Sequence, residues 1–155
     1  MNREILLITE RLKDAYEGDP WYGRNIRDIL SEIDEDLAFQ KPSGQHSILE
    51  LVWHMINWRE FVISRFRNDL QLSHFEKNDW RALDHNDRSL WKKGLDRLQE
   101  LQGELVILFQ QQQDSILLEK IHERDYDFRK LLSGIVEHDI YHLGQIAYIK
   151  KLLQH

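Results

Sequence analysis

Two histidines, His138 and His142, lie four residues apart in an amphipathic segment near the end of the chain. Because four residues is slightly more than one helical turn, both imidazoles leave the same face of a helix. At 100° per residue, the two rings share an arc of roughly 80° with the apolar residues of that segment. These apolar residues are Leu131, Ile135, Ile146, Ile149 and Leu153. The pattern predicts a helix that turns two polar rings toward a core, where each ring needs a partner. A metal ion is a partner that satisfies both nitrogens.

Three further segments show the helical spacing of apolar residues, and no segment is a convincing strand. Seven glycines and two prolines are few for 155 residues, which also favours long helices. Ser47 and Glu50 form a predicted capping box at the start of the second helix. We therefore expect an all-α fold, a four-helix bundle. The predicted helices cover residues 2–16, 47–68, 87–112 and 128–153.

The connections between these helices are long. The first connection covers residues 17–46 and contains a short helical pattern at 26–33. The second covers residues 70–86, which are polar and are predicted to be irregular. Both exceed the roughly 2–8 residues of a simple up-down bundle. A linker of 17 residues crosses about 50 Å when extended, which permits a crossover between parallel helices. No linker divides the chain, so we expect one domain over residues 1–155.

Charge and composition narrow the classes of function. The net charge of −6 argues against a nucleic-acid partner, because phosphate contacts need a basic face. No run of about 18 apolar residues exists, so no membrane span is expected. The chain has no cysteine, so a metal must be held by His, Asp or Glu and any thiol must come from outside. A cytoplasmic location is only the default expectation.

A third histidine, His54, lies on the apolar side of the second predicted helix. Three histidines around one ion leave a coordination position open, as in catalytic sites. Zinc, nickel, iron, manganese and copper all accept imidazole. The alternative is that these rings only bind backbone carbonyls in the core. The other five histidines are predicted to lie on the surface: His46, His74, His85, His122 and His155.

Residues 51–58 around His54 and residues 138–146, an H-x-x-x-H-x-G-Q-I run, resemble the DinB-like superfamily. The turn at residues 20–23 and the Ser-Ile pair at the start of the second helix also resemble that superfamily. The resemblance implies a bundle in up-down-down-up order with long crossover linkers. It further implies a divalent metal, commonly nickel or zinc, at His54, His138 and His142, with water completing the shell. Homodimers are frequent in this superfamily.

Four residues near the histidines are candidate supporting groups. Asp139 and Glu50 are carboxylates that can orient a ligand histidine, although each is also typical of a surface charge. Gln145 belongs to the motif and is a candidate partner for a ligand histidine or for a second subunit. Trp58 is predicted to line a pocket or the core. Residues 79–85 of the long linker are placed to cover the metal cleft.

The resemblance makes an enzyme the first hypothesis. Some members are S-transferases that use bacillithiol and one is an isomerase that uses mycothiol, whereas many members have no assigned reaction. In that hypothesis a metal-held low-molecular-weight thiol attacks an electrophilic small molecule. A metal-dependent hydrolase would use the same site without a thiol. A non-catalytic metal-binding or dimerisation protein is a further alternative. A plain helical interaction domain would bind no metal at all.

Overall fold

The computed structural model describes residues 2–69 and 71–155 of the chain. Over these ranges the fold is all-helical, as the sequence predicts, with one isolated β-bridge as the only extended pairing. The helices are α1 (Arg3–Glu17), α2 (Ile26–Ser31), α3 (Glu35–Phe39), α4 (Ile48–Arg67), α5 (Leu72–Lys77), α6 (Leu90–Gln110) and α7 (Phe128–Leu153), with a 3-10 turn at Asp114–Leu118.

The four long helices begin and end within three residues of the predicted ranges. The expectation that residues 70–86 are irregular is wrong for α5. This helix has six residues, too few for a periodic apolar pattern to be visible. It is held by one buried ring, because Phe75 packs edge-on against Phe61 of α4 with 5.3 Å between ring centroids.

Contacts at the helix ends fix the direction of α1 relative to α6 and α7. Near the start of α1, the backbone N–H of Ile5 donates to Asp114, which follows the end of α6, at 2.9 Å. In the same turn, Glu4 accepts from Arg129 at the start of α7, with 2.6 Å between the carboxylate and Nε. Helix α1 therefore runs antiparallel to α6 and parallel to α7.

Contacts of α4 fix the remaining directions. Trp53 near the start of α4 donates to the carbonyl of Leu90 at the start of α6, so these two helices are parallel. Phe66 at the end of α4 packs on Phe128 at the start of α7, so these two are antiparallel. The bundle thus has the up-down-down-up order, and residues 68–89 form the crossover between parallel helices.

The start of α4 is capped as the sequence predicts. The Ser47 hydroxyl accepts from the backbone N–H of Glu50 at 3.1 Å, and the Glu50 carboxylate accepts from the Ser47 N–H at 2.7 Å. This box fixes where α4 begins and therefore where His54, two turns later, faces the core. None of the helices in residues 2–69 and 71–155 combines the length and apolarity needed to cross a membrane.

Candidate metal centre

The antiparallel packing of α4 against α7 brings the three predicted histidines together. Nε2 of His138 lies 3.2 Å from Nε2 of His54 and 3.2 Å from Nε2 of His142. One ring nitrogen from each residue lies within 4.8 Å of the other two. His54 and His142 are buried, whereas the side chain of His138 retains 28% exposure. The cluster therefore has one open side, next to His138.

The spacing of these nitrogens can be compared with known coordination geometry. Bonds of about 2.1 Å at tetrahedral angles place two ligand nitrogens about 3.4 Å apart, and octahedral angles place them about 3.0 Å apart. The observed 3.2 Å lies between the two values. The histidine group has the dimensions to hold one metal ion.

Hydrogen bonds orient two of the three rings. Nδ1 of His54 donates to the carbonyl of Asp79 at 2.8 Å, and Nδ1 of His142 donates to Oε1 of Gln145 at 2.6 Å. Because both acceptors are oxygens without a proton, each neutral ring carries its proton on Nδ1 and directs the Nε2 lone pair into the cluster. Nδ1 of His138 is buried without a hydrogen-bond partner among the described residues.

Burial also sets the charge of the two oriented rings. It lowers the pKa of His142 to about 4 and lowers the pKa of His54 below its ordinary value. The neighbouring imidazoles act in the same direction, because two cationic rings repel each other. Both rings are therefore neutral near pH 7, the form in which histidine binds metals.

The crossover linker covers one side of the cluster. The Trp80 ring is stacked on His54 with 3.9 Å between centroids, and His46 is stacked on Trp80 at 3.7 Å. Asp79 and Trp80 thus lie where the sequence placed a cover, whereas His85 packs edge-on to Phe39 instead. The five histidines predicted to be at the surface are all exposed.

The predicted supporting residues have different roles in the structure. Gln145 bonds a cluster histidine. Glu50 does not, because its carboxylate caps α4 and pairs with Lys41 at 3.1 Å. Trp58 lies beside the cluster and donates from Nε1 to the Asp79 carboxylate at 2.7 Å.

Asp139 does not orient a histidine either, since its nearest oxygen is 4.0 Å from Nδ1 of His138, beyond hydrogen-bond distance. Its other oxygen accepts from Nε of Arg59 at 2.8 Å and lies 2.6 Å from Nη2. Nη1 of Arg59 donates to Gln102 at 2.8 Å, which in turn donates to the carbonyl of Leu12 at 3.3 Å. The carboxylate therefore belongs to a buried network that joins all four long helices.

Sequence reasoning missed Arg59 and singled out neither Asp79 nor Trp80 as a contact of His54. A signal existed for Arg59, which follows Met55 by four residues and precedes Val62 by three, on the apolar stripe of α4. A charge in that position predicts an inward partner. No comparable signal exists in the crossover, where apolar residues have no helical period.

Comparison with known proteins places the chain in a family. The model of the DinB family matches residues 9–153. This protein belongs to the DinB family. Its fold is also similar to that of the colibactin self-resistance protein ClbS, whose crystal structure is a complex with a double-stranded DNA. That likeness has a TM-score of 0.61 at 16% identity and covers 96% of this chain and 92% of the other. No protein in the curated set matches this chain.

The prediction that the chain has no nucleic-acid partner is contradicted by the ClbS complex, because a protein of this fold is bound there to double-stranded DNA. The reasoning from net charge was at fault. A total of −6 averages over the whole surface and does not describe the local distribution of charge that a nucleic acid would meet. The homodimer stays a prediction.

Proposed function

We propose that this DinB-family protein is a divalent-metal-dependent S-transferase that joins a low-molecular-weight thiol to an electrophilic carbon. His54, His138 and His142 would hold the metal, nickel or zinc in preference to iron or manganese. A bound divalent ion lowers the pKa of a thiol or water in its open position and so supplies a nucleophile near neutral pH. The observation that supports the site most strongly is the convergence of three histidine Nε2 atoms. In two of these rings, His54 and His142, Nδ1 is hydrogen-bonded to an oxygen acceptor.

The chemistry of the donor set favours an anionic partner. All three ligands would be neutral imidazoles, so none of the ligands themselves would carry a charge that offsets the charge of a divalent ion. A thiolate supplies such a charge, and it must come from outside because the chain contains no cysteine. The exposed side of His138 is where the thiol and the electrophile would enter, since Trp80 covers His54.

The histidines would act as ligands and not as bases. The Nδ1 protons of His54 and His142 are held by Asp79 and Gln145, and the Nε2 lone pairs would be used for coordination. In the reaction the thiolate sulfur attacks carbon, the C–S bond forms, and the leaving group departs with its electron pair. The thiol proton goes to solvent.

The test is thiol consumption by metal-loaded protein with monochlorobimane as the electrophile and bacillithiol, mycothiol or glutathione as the thiol. We expect turnover with at least one thiol, loss of turnover in His142→Ala, and unchanged turnover in His74→Ala, which alters an exposed histidine. Turnover that survives His142→Ala would refute the proposal.

Two alternatives give different results in the same preparation. A metal-dependent hydrolase would cleave an activated ester without thiol and would lose this activity in His142→Ala. A non-catalytic metal-binding protein would be stabilised by the ion but would consume neither thiol nor ester.

A further inference from the structure

A cavity of about 260 Å³ opens between α4 and α7 beside His138. We call it the α4–α7 cavity. Its wall is mainly apolar, with three aromatic and three aliphatic side chains: Trp58, Phe61, Tyr126, Val62, Leu131 and Ile135. No function described above uses this space.

The cavity has different chemistry at its two ends. His138, a proposed metal ligand, and its acidic neighbour Glu137 lie at one end, and the exposed Lys130 lies two helical turns earlier on α7. Eight residues of helix separate the backbones of His138 and Lys130 by about 12 Å. The Lys130 ammonium lies over the Tyr126 ring, with 5.9 Å from Nζ to the centroid, and forms no ion pair within the described part of the chain, whereas the Lys130 backbone N–H donates to the Asp127 carboxylate at 2.9 Å. An ammonium group therefore stands at the end far from the metal centre.

We infer that the α4–α7 cavity binds the electrophilic cosubstrate and selects a single aromatic ring that carries an anionic group. This inference rests on the proposed S-transferase function. The ring would pack on Trp58 and Phe61, the anion would face Lys130, and the electrophilic carbon would lie beside His138.

The size of the cavity supports a one-ring ligand. An apolar cavity of about 150 Å³ accommodates benzene, so 260 Å³ leaves space for a ring with a short substituent at each end. Pockets for larger, drug-sized ligands have volumes of about 300–1,000 Å³. The aromatic wall favours offset or edge-on ring contacts, and the Lys130 charge favours an acid over its neutral analogue.

The matching reaction is the alkylation of a thiol by 4-(chloromethyl)phenylacetate. The thiolate sulfur attacks the benzylic carbon, the C–S bond forms, and chloride leaves with the electron pair of the C–Cl bond. The thiol proton is released to solvent. The neutral comparison compound is 4-methylbenzyl chloride, which has the same ring and leaving group but no anion.

Gly134 provides a position at which a larger side chain would fill the cavity. It lines the cavity one turn before His138, and a Cβ added there meets no atom within 4 Å. Gly103 on α6 has the same open surroundings but does not line the cavity. Gly134→Leu and Gly103→Leu both gain helix propensity, so Gly103→Leu is the matched control.

The first experiment measures binding without thiol or turnover. Metal-loaded protein is titrated calorimetrically with 4-methylphenylacetate and with the neutral 4-methylphenylacetamide. We expect the acid to bind more tightly, and Gly134→Leu to weaken both by roughly tenfold or more because the ring loses its buried contacts. Gly103→Leu should bind like the wild type. Equal binding in Gly134→Leu and Gly103→Leu, or no binding by the wild type, would overturn the inference.

The second experiment tests the charge. Lys130→Met removes the ammonium but keeps most of the stem, and we expect it to reduce the preference for the acid by about fivefold, the scale of an exposed ion pair. Lys151→Met, which removes another exposed lysine of α7, is the control. An unchanged preference in Lys130→Met would contradict the assignment of the anion to Lys130.

Kinetics with the two chlorides separate this inference from the proposed function. If thiol is consumed but Gly134→Leu affects neither chloride, the S-transferase stands and the cavity assignment fails. If the phenylacetate binds and Gly134→Leu abolishes binding while no thiol is ever consumed, the cavity site stands and the S-transferase fails. Gly134→Ala, a smaller change, should give an intermediate loss of binding and confirms that the effect follows cavity volume.

Discussion

The buried pair of Arg59 and Asp139 gives the sharpest prediction about stability. Both side chains are at most 1% exposed, and the guanidinium makes two close contacts with one carboxylate oxygen. Replacing Asp139 by Leu leaves the Arg59 charge in the centre of the bundle, where the Gln102 amide oxygen is its one remaining acceptor among residues 2–69 and 71–155. Breaking a buried ion pair in this way costs about 3–5 kcal/mol, because the remaining charge is desolvated without compensation.

The magnitude can be checked by urea unfolding, with the free energy of unfolding extrapolated to water. We expect Asp139→Leu to lose about 3–5 kcal/mol and the double variant Arg59→Met/Asp139→Leu to regain most of that loss, since well-packed apolar replacements of buried pairs are often neutral. The control is Asp96→Ala, whose partner Lys92 is 82% exposed and whose loss should cost at most about 1 kcal/mol.

Two results would refute this reasoning. Asp139→Leu with a cost no larger than that of Asp96→Ala would mean that the buried pair contributes no more than a surface pair. A double variant as unstable as Asp139→Leu alone would mean that the cost comes from packing and not from the unpaired charge. Metal binding by the folded double variant is expected to persist, because Asp139 bonds Arg59 and no cluster histidine.

Four further predictions concern the histidine cluster and the start of α4. Gln145→Leu removes the acceptor of His142 and should weaken metal binding about 10–100-fold by calorimetry, while Gln145→Glu retains it. Trp80→Ala uncovers His54 and should speed metal loss to a chelator in stopped-flow experiments; an unchanged rate would argue against a cover. Burial lowers the pKa of His142 from 6.5 to about 4, so metal-free stability should be complete above pH 6.5 and decrease as the pH falls toward 4. Urea unfolding of His142→Leu at pH 6.5 and at pH 4 should show a smaller decrease in the free energy of unfolding than the wild type shows. Ser47→Ala breaks the capping box and should cost about 1 kcal/mol of unfolding free energy.

The long helices were predictable because each presents an apolar stripe over several turns. The same spacing placed His138 and His142 on one inward face, and the structure has them there with His142 buried. The capping box located the start of α4 to within one residue. These features depend on local periodicity, which a single sequence displays directly.

The surroundings of the cluster were less predictable, because they come from contacts between distant residues. The stacking of Trp80 on His54 depends on the path of a crossover without a regular pattern. Asp139 was assigned a role beside the histidines because only its position on α7 was considered. Its actual partner, Arg59, lies 80 residues away in sequence, and only the register between α4 and α7 brings the two charges together.

The central claim is that His54, His138 and His142 bind one metal ion together. X-ray absorption at the metal edge of zinc- or nickel-loaded protein tests it most directly. We predict three imidazole nitrogens at about 2.0–2.1 Å with oxygen ligands completing the shell, and two imidazoles after His54→Ala. A spectrum with fewer than three imidazoles in the wild type, or one unchanged by His54→Ala, would contradict the account.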